Sequence, residues 1–347
     1  MQQRIERLTT SDGVQIAYAS VGSGRPIVYV TGWLSHLELG WELRQERAFY
    51  EGLAAGCRLL RYDRAGSGLS VPSAPSEAPD SDSSPSLERE LDQLSAVIAT
   101  LGPEPFDLVG TSMGSLVAVA WAAAHPESVR SLVLYGGWVR GADISPSGAQ
   151  ENVLGLIDSH WGLGSDVLTE IFAPDADATT RQEFGRYQRA CSTAATARAL
   201  LAMSYRLDIG ELLGEVRAPT LVVHRAHDRA VPLAQAAVLV DGIAGAQLIV
   251  LPGRSHLPYI GDAHELVTTI RRFLGLRAAR RGALDLTPRQ REVAALVSAG
   301  CTNREIAERL GIGERSAEGH VERIRLRLAV RSRAQIAAWH AAQGDRR

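Results

Sequence analysis

Gly110-Thr111-Ser112-Met113-Gly114 decides how this chain is read. Before it runs the apolar segment Phe106-Asp107-Leu108-Val109, entered through the turn Gly102-Pro103-Glu104-Pro105. After it runs Ser115–Ala124, a small-residue stretch closed by His125-Pro126. A G-x-S-x-G element between a strand and a helix predicts a sharp, strained turn that projects the serine hydroxyl outward. The flanking glycines are needed because a Cβ there would collide with the neighbouring strand and helix. The helix start also aims N–H groups at negative charge developing beside the serine. Ser112 is therefore the candidate nucleophile; the plainer alternative is a buried serine capping the helix.

Strand and helix patterns alternate on both sides of this element. Arg4–Thr10 and Val14–Val21 flank Ser11-Asp12-Gly13, a hairpin signal. Pro26–Thr31, Arg58–Asp63 and Ser131–Tyr135 read as strands, and Ser86–Leu101 has helical spacing. Residues 71–86 are rich in Pro, Ser, Asp and Glu and read as a loop. From Gly141 to about Val216 the alternation stops, which predicts a helical insertion lying over the strand ends as a lid. The pattern resumes with strand Pro219–His224, helix Pro232–Gly242, strand Gln247–Leu251 and helix Ala263–Leu274. Such alternation implies an α/β fold, a mostly parallel sheet with helices on both faces.

A nucleophilic serine needs a base, and the base needs an orienting acid. Asp228 lies in the loop leaving the resumed strand, and His256 in the loop leaving the last one. The order Ser112, Asp228, His256 is the nucleophile–acid–base order of the α/β-hydrolases. Up to about residue 275 the chain resembles that family. The segment Asp63-Arg64-Ala65-Gly66-Ser67-Gly68-Leu69-Ser70 matches its Asp-Arg-x-Gly-x-Gly-x-Ser turn, read here as structural. The resemblance implies an oxyanion hole made by the N–H of Met113 and one from Thr31-Gly32-Trp33-Leu34, with Trp33 the candidate. Thr31 stands where the family more often has His. Trp138 and Trp161 are candidates for the pocket wall or simply for the core. The other histidines, His224 among them, read as surface or packing residues. Ser112 rather than Asp at the elbow argues against dehalogenase chemistry, while carbon–carbon-bond hydrolysis on the same fold stays open.

The 347 residues exceed one typical domain, and 45% are hydrophobic. All 37 basic residues are arginines. Cys57, Cys191 and Cys301 form neither a disulfide framework nor a metal pattern, so a reducing, cytoplasmic setting is expected, with no metal and no cofactor. Nothing reads as a leader or membrane span. The net charge of −2 conceals an asymmetry. Residues 284–347 carry 12 arginines against 8 acidic residues, so the rest of the chain is acidic. Two domains with different partners are expected: 1–275 with a lid at 141–216, a linker at 276–283, and 284–347.

In the second domain Thr287 reads as an N-cap, Pro288 as the first helical residue and Gln290 as the end of a capping box. Thr302-Asn303-Arg304-Glu305 repeats that logic, Gly311 makes the turn, and a third helix covers about Glu314–Leu328. This is a helix-turn-helix pattern. Leu286–Val293, Thr302–Ile312, His320-Val321 and Leu328–Arg333 together resemble the LuxR-type DNA-binding domain. The resemblance implies a third helix in the major groove of double-stranded DNA, and a fourth, near Arg333–Ala342, supporting a homodimer. By position, Ser316, His320 and Arg323 would face DNA. Thr302, Asn303, Arg304, Arg315, Arg327 and Arg333 would touch phosphates. Three residues depart from the family: Gly313 replaces a serine cap, Glu318 a DNA-facing lysine, and Gly319 weakens its helix by about 1 kcal/mol. The expectation is a transcriptional regulator whose hydrolase-fold domain senses, and hydrolyses, a small largely apolar ligand. The competing expectation is an esterase or lactonase with secondary DNA binding.

Overall fold

The computed structural model describes residues 1–70, 84–276, 286, 288–328, 330 and 332–344. The acidic, proline-rich stretch 71–83, linker residues 277–283, the cap Thr287, Arg331 and the side chain of Arg327 lie outside the described residues. The chain divides into two compact units, Met1–Ala278 and Ala279–Arg347.

The first unit is built on one eight-stranded sheet. β1 (Arg4–Thr9) and β2 (Gln15–Gly22) form the expected hairpin. β3 (Arg25–Val30) and β4 (Cys57–Tyr62) follow, with α1 (Leu37–Glu42) and α2 (Arg44–Leu53) between them. Next come α3 (Leu87–Ala99), β5 (Phe106–Thr111), α4 (Met113–Ala124) and β6 (Val129–Tyr135). Four helices are then inserted: α5 (Ser147–Ser159), α6 (Trp161–Phe172), α7 (Ala178–Cys191) and α8 (Ala194–Arg206). β7 (Thr220–Arg225), α9 (Ala234–Gly242), β8 (Gln247–Leu251) and α10 (Ala263–Phe273) complete the unit. The strand order is β1-β2-β4-β3-β5-β6-β7-β8. Pairing is antiparallel from β1 to β4 and parallel from β4 onward. The loops leaving β3, β5, β6, β7 and β8 therefore share the carboxyl edge, where ligands bind in such sheets.

β5 is buried throughout, as a strand covered on both faces must be. α4 is buried from Met113 to Ala122 because its alanines and valines let it lie close on the sheet. The sequence reading assigned no element to α1 or α2. The buried stripe of α2 is Glu46, Phe49, Tyr50 and Leu53. This is the helical i, i+3, i+4, i+7 spacing, but with a glutamate in the first place, so the apolar period is masked.

The segment after β4 is structural, as its sequence suggests. Asp63 is fully buried and accepts hydrogen bonds from Ser35 Oγ (2.7 Å), Leu37 N (3.0 Å) and Leu69 N (2.9 Å). Arg64, also fully buried, pairs with Glu90 on α3 at 2.9 Å and donates to the Thr31 carbonyl at 2.8 Å.

The second unit is α11 (Pro288–Ser298), α12 (Asn303–Leu310), α13 (Glu314–Leu328) and α14 (Arg333–Gly344). Val293, Val297, Ile306, Ile324 and Ile336 meet in its core. Thr302 and Glu305 form a reciprocal capping box at the start of α12. Gly311 ends that helix at φ +63, a left-handed conformation that favours glycine. The unit is a helix-turn-helix domain. Among the described residues no helix is long and apolar enough to cross a membrane.

Removing one partner of a buried ion pair leaves a buried charge uncompensated. Glu90→Gln is expected to lower the stability of the first unit by about 3–5 kcal/mol in urea unfolding. Glu6→Gln, which breaks the exposed Arg4 pair, is expected to cost less than about 1 kcal/mol.

Candidate active site

Ser112 is the single non-glycine residue with positive φ among the described residues (φ 56, ψ −130). Packing enforces that strain. A Cβ on Gly114 would lie 2.3 Å from the carbonyl oxygens of Val30 and Thr31, and one on Gly110 would lie 2.6 Å from Gly114 O. The Ser112 N–H donates to Tyr135 O on β6 at 2.8 Å, tying the turn to the next strand. The sharp bend is thus held from three sides, and the hydroxyl makes no capping bond to the helix it precedes.

His256 Nε2 lies 2.8 Å from Ser112 Oγ, and His256 Nδ1 lies 2.8 Å from Asp228 Oδ2. The other Asp228 oxygen accepts from Ala230 N at 2.8 Å and Val231 N at 3.1 Å. The Asp228 side chain is fully buried. Burial pushes its pKa up, but the adjacent His256, the nearby His224 and the Ala230 N–H together outweigh that and hold it below the ordinary carboxylate value. His224 is a buried packing residue whose Nε2 sits 3.9 Å from Asp228 and 3.0 Å from Val231 O. Burial keeps its pKa below the usual imidazole value. A hydroxyl facing a carboxylate-backed imidazole is an arrangement for nucleophilic attack on acyl carbon, with the imidazole taking the proton.

Several residues the sequence reading missed hold this geometry. Gly136, at φ +58 after β6, lets the histidine ring lie against the backbone: its Cβ would be 2.9 Å from His256 Cε1. The paired glycines Gly136-Gly137 after a strand were the available signal. Arg225, buried at the end of β7, donates to Tyr135 Oη at 2.8 Å and to the Ile260 carbonyl. Gly253 and Gly261 leave room for that guanidinium on either side of the histidine loop. The inserted helices grip the same loop. Phe172 O accepts from His256 N at 2.8 Å, and Asp175 accepts from Arg254 N at 3.0 Å and Nε at 2.8 Å.

Of the candidate oxyanion donors, Met113 follows Ser112 in the chain and Trp33 lines the same cavity as Ser112. Gly32 faces it, since a Cβ there would sit 3.4 Å from Ser112 Cβ. The buried Arg64 steadies both segments, bonding Thr31 O and reaching Met113 Sδ at 3.9 Å. The adjoining cavity has about 60 Å³ open to the centre of a water molecule, room for a few waters. Trp33, Phe172, Phe184 and Tyr187 make much of its wall. Trp138 and Trp161 do not line it: Trp138 is core, and Trp161 packs edge-on against Trp33 at 6.2 Å.

In the second unit Arg304, Arg315, Ser316, Glu318 and Arg323 are exposed. Val321 and Ile324 turn the opposite face of α13 into the core. His320 Nδ1 is buried without a partner, and partial burial together with Arg323 and Arg289 lowers its pKa. Thr302 spends its hydroxyl on Glu305. Asn303 Oδ1 accepts from Arg333 at 2.7 Å, and Arg333 also reaches Cys301 O. This pair therefore staples α12 to α14, a role the sequence reading did not foresee.

Residues 25–263 match the family model of the alpha/beta hydrolase fold, and residues 284–340 that of the bacterial regulatory proteins of the luxR family. A pyrrolizixenacetamide deacetylase from Xenorhabdus hominickii is 29% identical over 268 residues, 75% of this chain and 94% of its own length. A pimeloyl-[acyl-carrier protein] methyl ester esterase from Neisseria meningitidis is 29% identical over 199 residues, 54% of this chain and 75% of its own. Among solved structures, an esterase from Exiguobacterium antarcticum superposes with a TM-score of 0.65 at 22% identity, covering 78% of this chain and 98% of its own.

An alanine at Gly136 would press on the imidazole and strain the backbone. Gly136→Ala is expected to slow phosphonylation of Ser112 by a fluorophosphonate by about tenfold to a hundredfold, with the far-ultraviolet circular dichroism unchanged. Unaltered labelling would show that Gly136 does not set the histidine.

Proposed function

We propose a ligand-responsive transcriptional regulator that hydrolyses its signal, for a chain that belongs to the alpha/beta hydrolase fold family and carries a luxR-family DNA-binding domain at residues 284–340. The observation that carries the catalytic half is the continuous chain of two 2.8 Å contacts, Ser112 to His256 to Asp228. A binding pocket alone has no need of all three.

His256 takes the Ser112 proton as Oγ attacks the carbonyl carbon of a small, largely apolar ester or lactone. The N–H groups of Met113 and Trp33 receive the oxyanion. Collapse expels the alcohol oxygen, which takes the proton back from His256. Water activated by the same imidazole then releases the acid and restores Ser112. Asp228 keeps the imidazole in the tautomer that accepts at Nε2 and stabilises the imidazolium. The activities named for the two relatives, removal of an acetyl group and of a methyl ester, fit a narrow pocket of this kind. The basic reading head binds double-stranded DNA in the cytoplasm, as a homodimer on two half-sites, with no membrane partner. Occupancy or acylation of the pocket alters that binding.

The competing reading, an esterase whose DNA binding is secondary, draws on the same triad. Both are tested together. Ser112→Ala should abolish fluorophosphonate labelling and turnover of short acyl esters; retained turnover excludes Ser112 as nucleophile. Labelled and unlabelled wild type should then differ in gel-shift affinity for upstream DNA. Equal affinities would favour the esterase.

Of the arginines proposed to touch DNA, Arg304 and Arg315 at phosphates and Arg323 facing the groove are exposed. Arg315→Ala is expected to weaken binding about equally across sequences and to lower the slope of log affinity against log salt by about one. A sequence-selective loss would instead assign Arg315 to base reading.

A further inference from the structure

The cavity beside Ser112 has lining residues that the proposed chemistry does not use. Glu46, on α2, is 3% exposed and lines it. One carboxyl oxygen accepts from Tyr50 Oη at 3.1 Å, while the other, Oε2, is buried without a close hydrogen-bond donor, although the Tyr259 hydroxyl stands near enough to act on the carboxyl. Gly40 on α1 makes room for this carboxyl, since a Cβ there would lie 2.8 Å from Oε1. Gln188, on α7, lines the same cavity and is 1% exposed. Its Nε2 donates to Ser165 O at 2.9 Å and Thr169 Oγ1 at 2.8 Å. Both amide hydrogens being spent, its orientation is fixed, and Oε1 is left buried without a donor. Tyr29, Tyr50, Tyr187 and Tyr259 stand around the same space.

A buried acceptor left without a close donor is costly, so two in one cavity point to a ligand that supplies donors. A carboxyl, an amide carbonyl and several tyrosine rings form an environment suited to a cation bearing N–H groups. We propose that Glu46 and Gln188 form a recognition subsite for a protonated amine carried by the ligand whose acyl group Ser112 attacks. This narrows the ligand class and rests on reading the cavity as the ligand pocket, though not on turnover. The ligand is then bifunctional, with an ester or lactone at one end and an alkylammonium at the other.

The charge state of Glu46 is poised. Burial pushes its pKa up to about 7, against the pull of Arg61 and of the Tyr50 and Tyr259 hydroxyls, with Asp63 pushing the same way as burial. Arg61 lies over the face of the Tyr50 ring at 3.8 Å. Tyr29 and Tyr187 have their own pKa values raised by burial and stay neutral. An amine should thus bind more tightly as the pH rises through Glu46, because the alkylammonium itself stays protonated to about pH 10.

The test is equilibrium titration of the full-length Ser112→Ala protein with n-pentylamine and with 1-pentanol, a neutral probe of the same length. Because this variant has no nucleophile, failed hydrolysis and failed amine recognition are separately visible. Pentylamine should bind about tenfold or more tightly than pentanol at pH 8, and Glu46→Gln should erase that preference. Should Glu46→Gln not fold, the pH series on the parent protein decides: amine affinity rises between about pH 5.5 and 8.5 while pentanol affinity stays flat. Equal binding of the two probes, no binding of the amine, a preference that survives Glu46→Gln, or a flat amine profile overturns the proposal.

Discussion

The approach of α4 to β3 sets everything else in the hydrolase unit. The backbone of Gly114 passes so close to the carbonyls of Val30 and Thr31 that a Cβ would come to 2.3 Å. That contact leaves the residue before the helix no relaxed conformation, and Ser112 takes φ 56. Since β3 and β5 are neighbours in parallel register, the loop that follows β3 lies beside the strained serine. The strained serine and the placement of the loop beside it are thus consequences of one packing contact.

Around that contact the chain relies on buried charge. A guanidinium with five donors can hold several carbonyls at fixed angles, and every cation here is arginine. Arg64 binds the Thr31 carbonyl and the Glu90 carboxylate. Arg225 ties β6 to the histidine loop through Tyr135 and Ile260. Each supports a different segment of the candidate site from behind, and neither guanidinium lines the cavity. The inserted helices add a third constraint, since Phe172 O and Asp175 hold the histidine loop by its backbone. A shift of α6 would therefore move His256.

Glu46 stands apart from this pattern. Asp63, Glu90 and Asp228 spend their oxygens on partners from at least one other element, whereas Glu46 keeps Oε2 without a close donor at a cavity wall. A carboxyl held there against its desolvation cost is consistent with selection for what it meets.

Sequence alone determined the fold class, the two-unit organisation and the order Ser112, Asp228, His256, because each is written in short-range signals. A glycine pair around a serine, loops leaving β-branched runs, and Thr-x-x-Glu caps are local physics. Sequence also favoured a structural reading of Asp63. It did not reveal α1 and α2, because Glu46 interrupts the apolar stripe of α2. Nor did it reveal Gly136, Arg225 or Asp175, whose partners lie 120, 35 and 79 residues away in the chain. Only the tertiary structure could bring those groups together, and only it could show that Asn303 and Arg333 bond each other. Periodicity reports which face of an element is buried; it carries no information about what a buried polar group meets there.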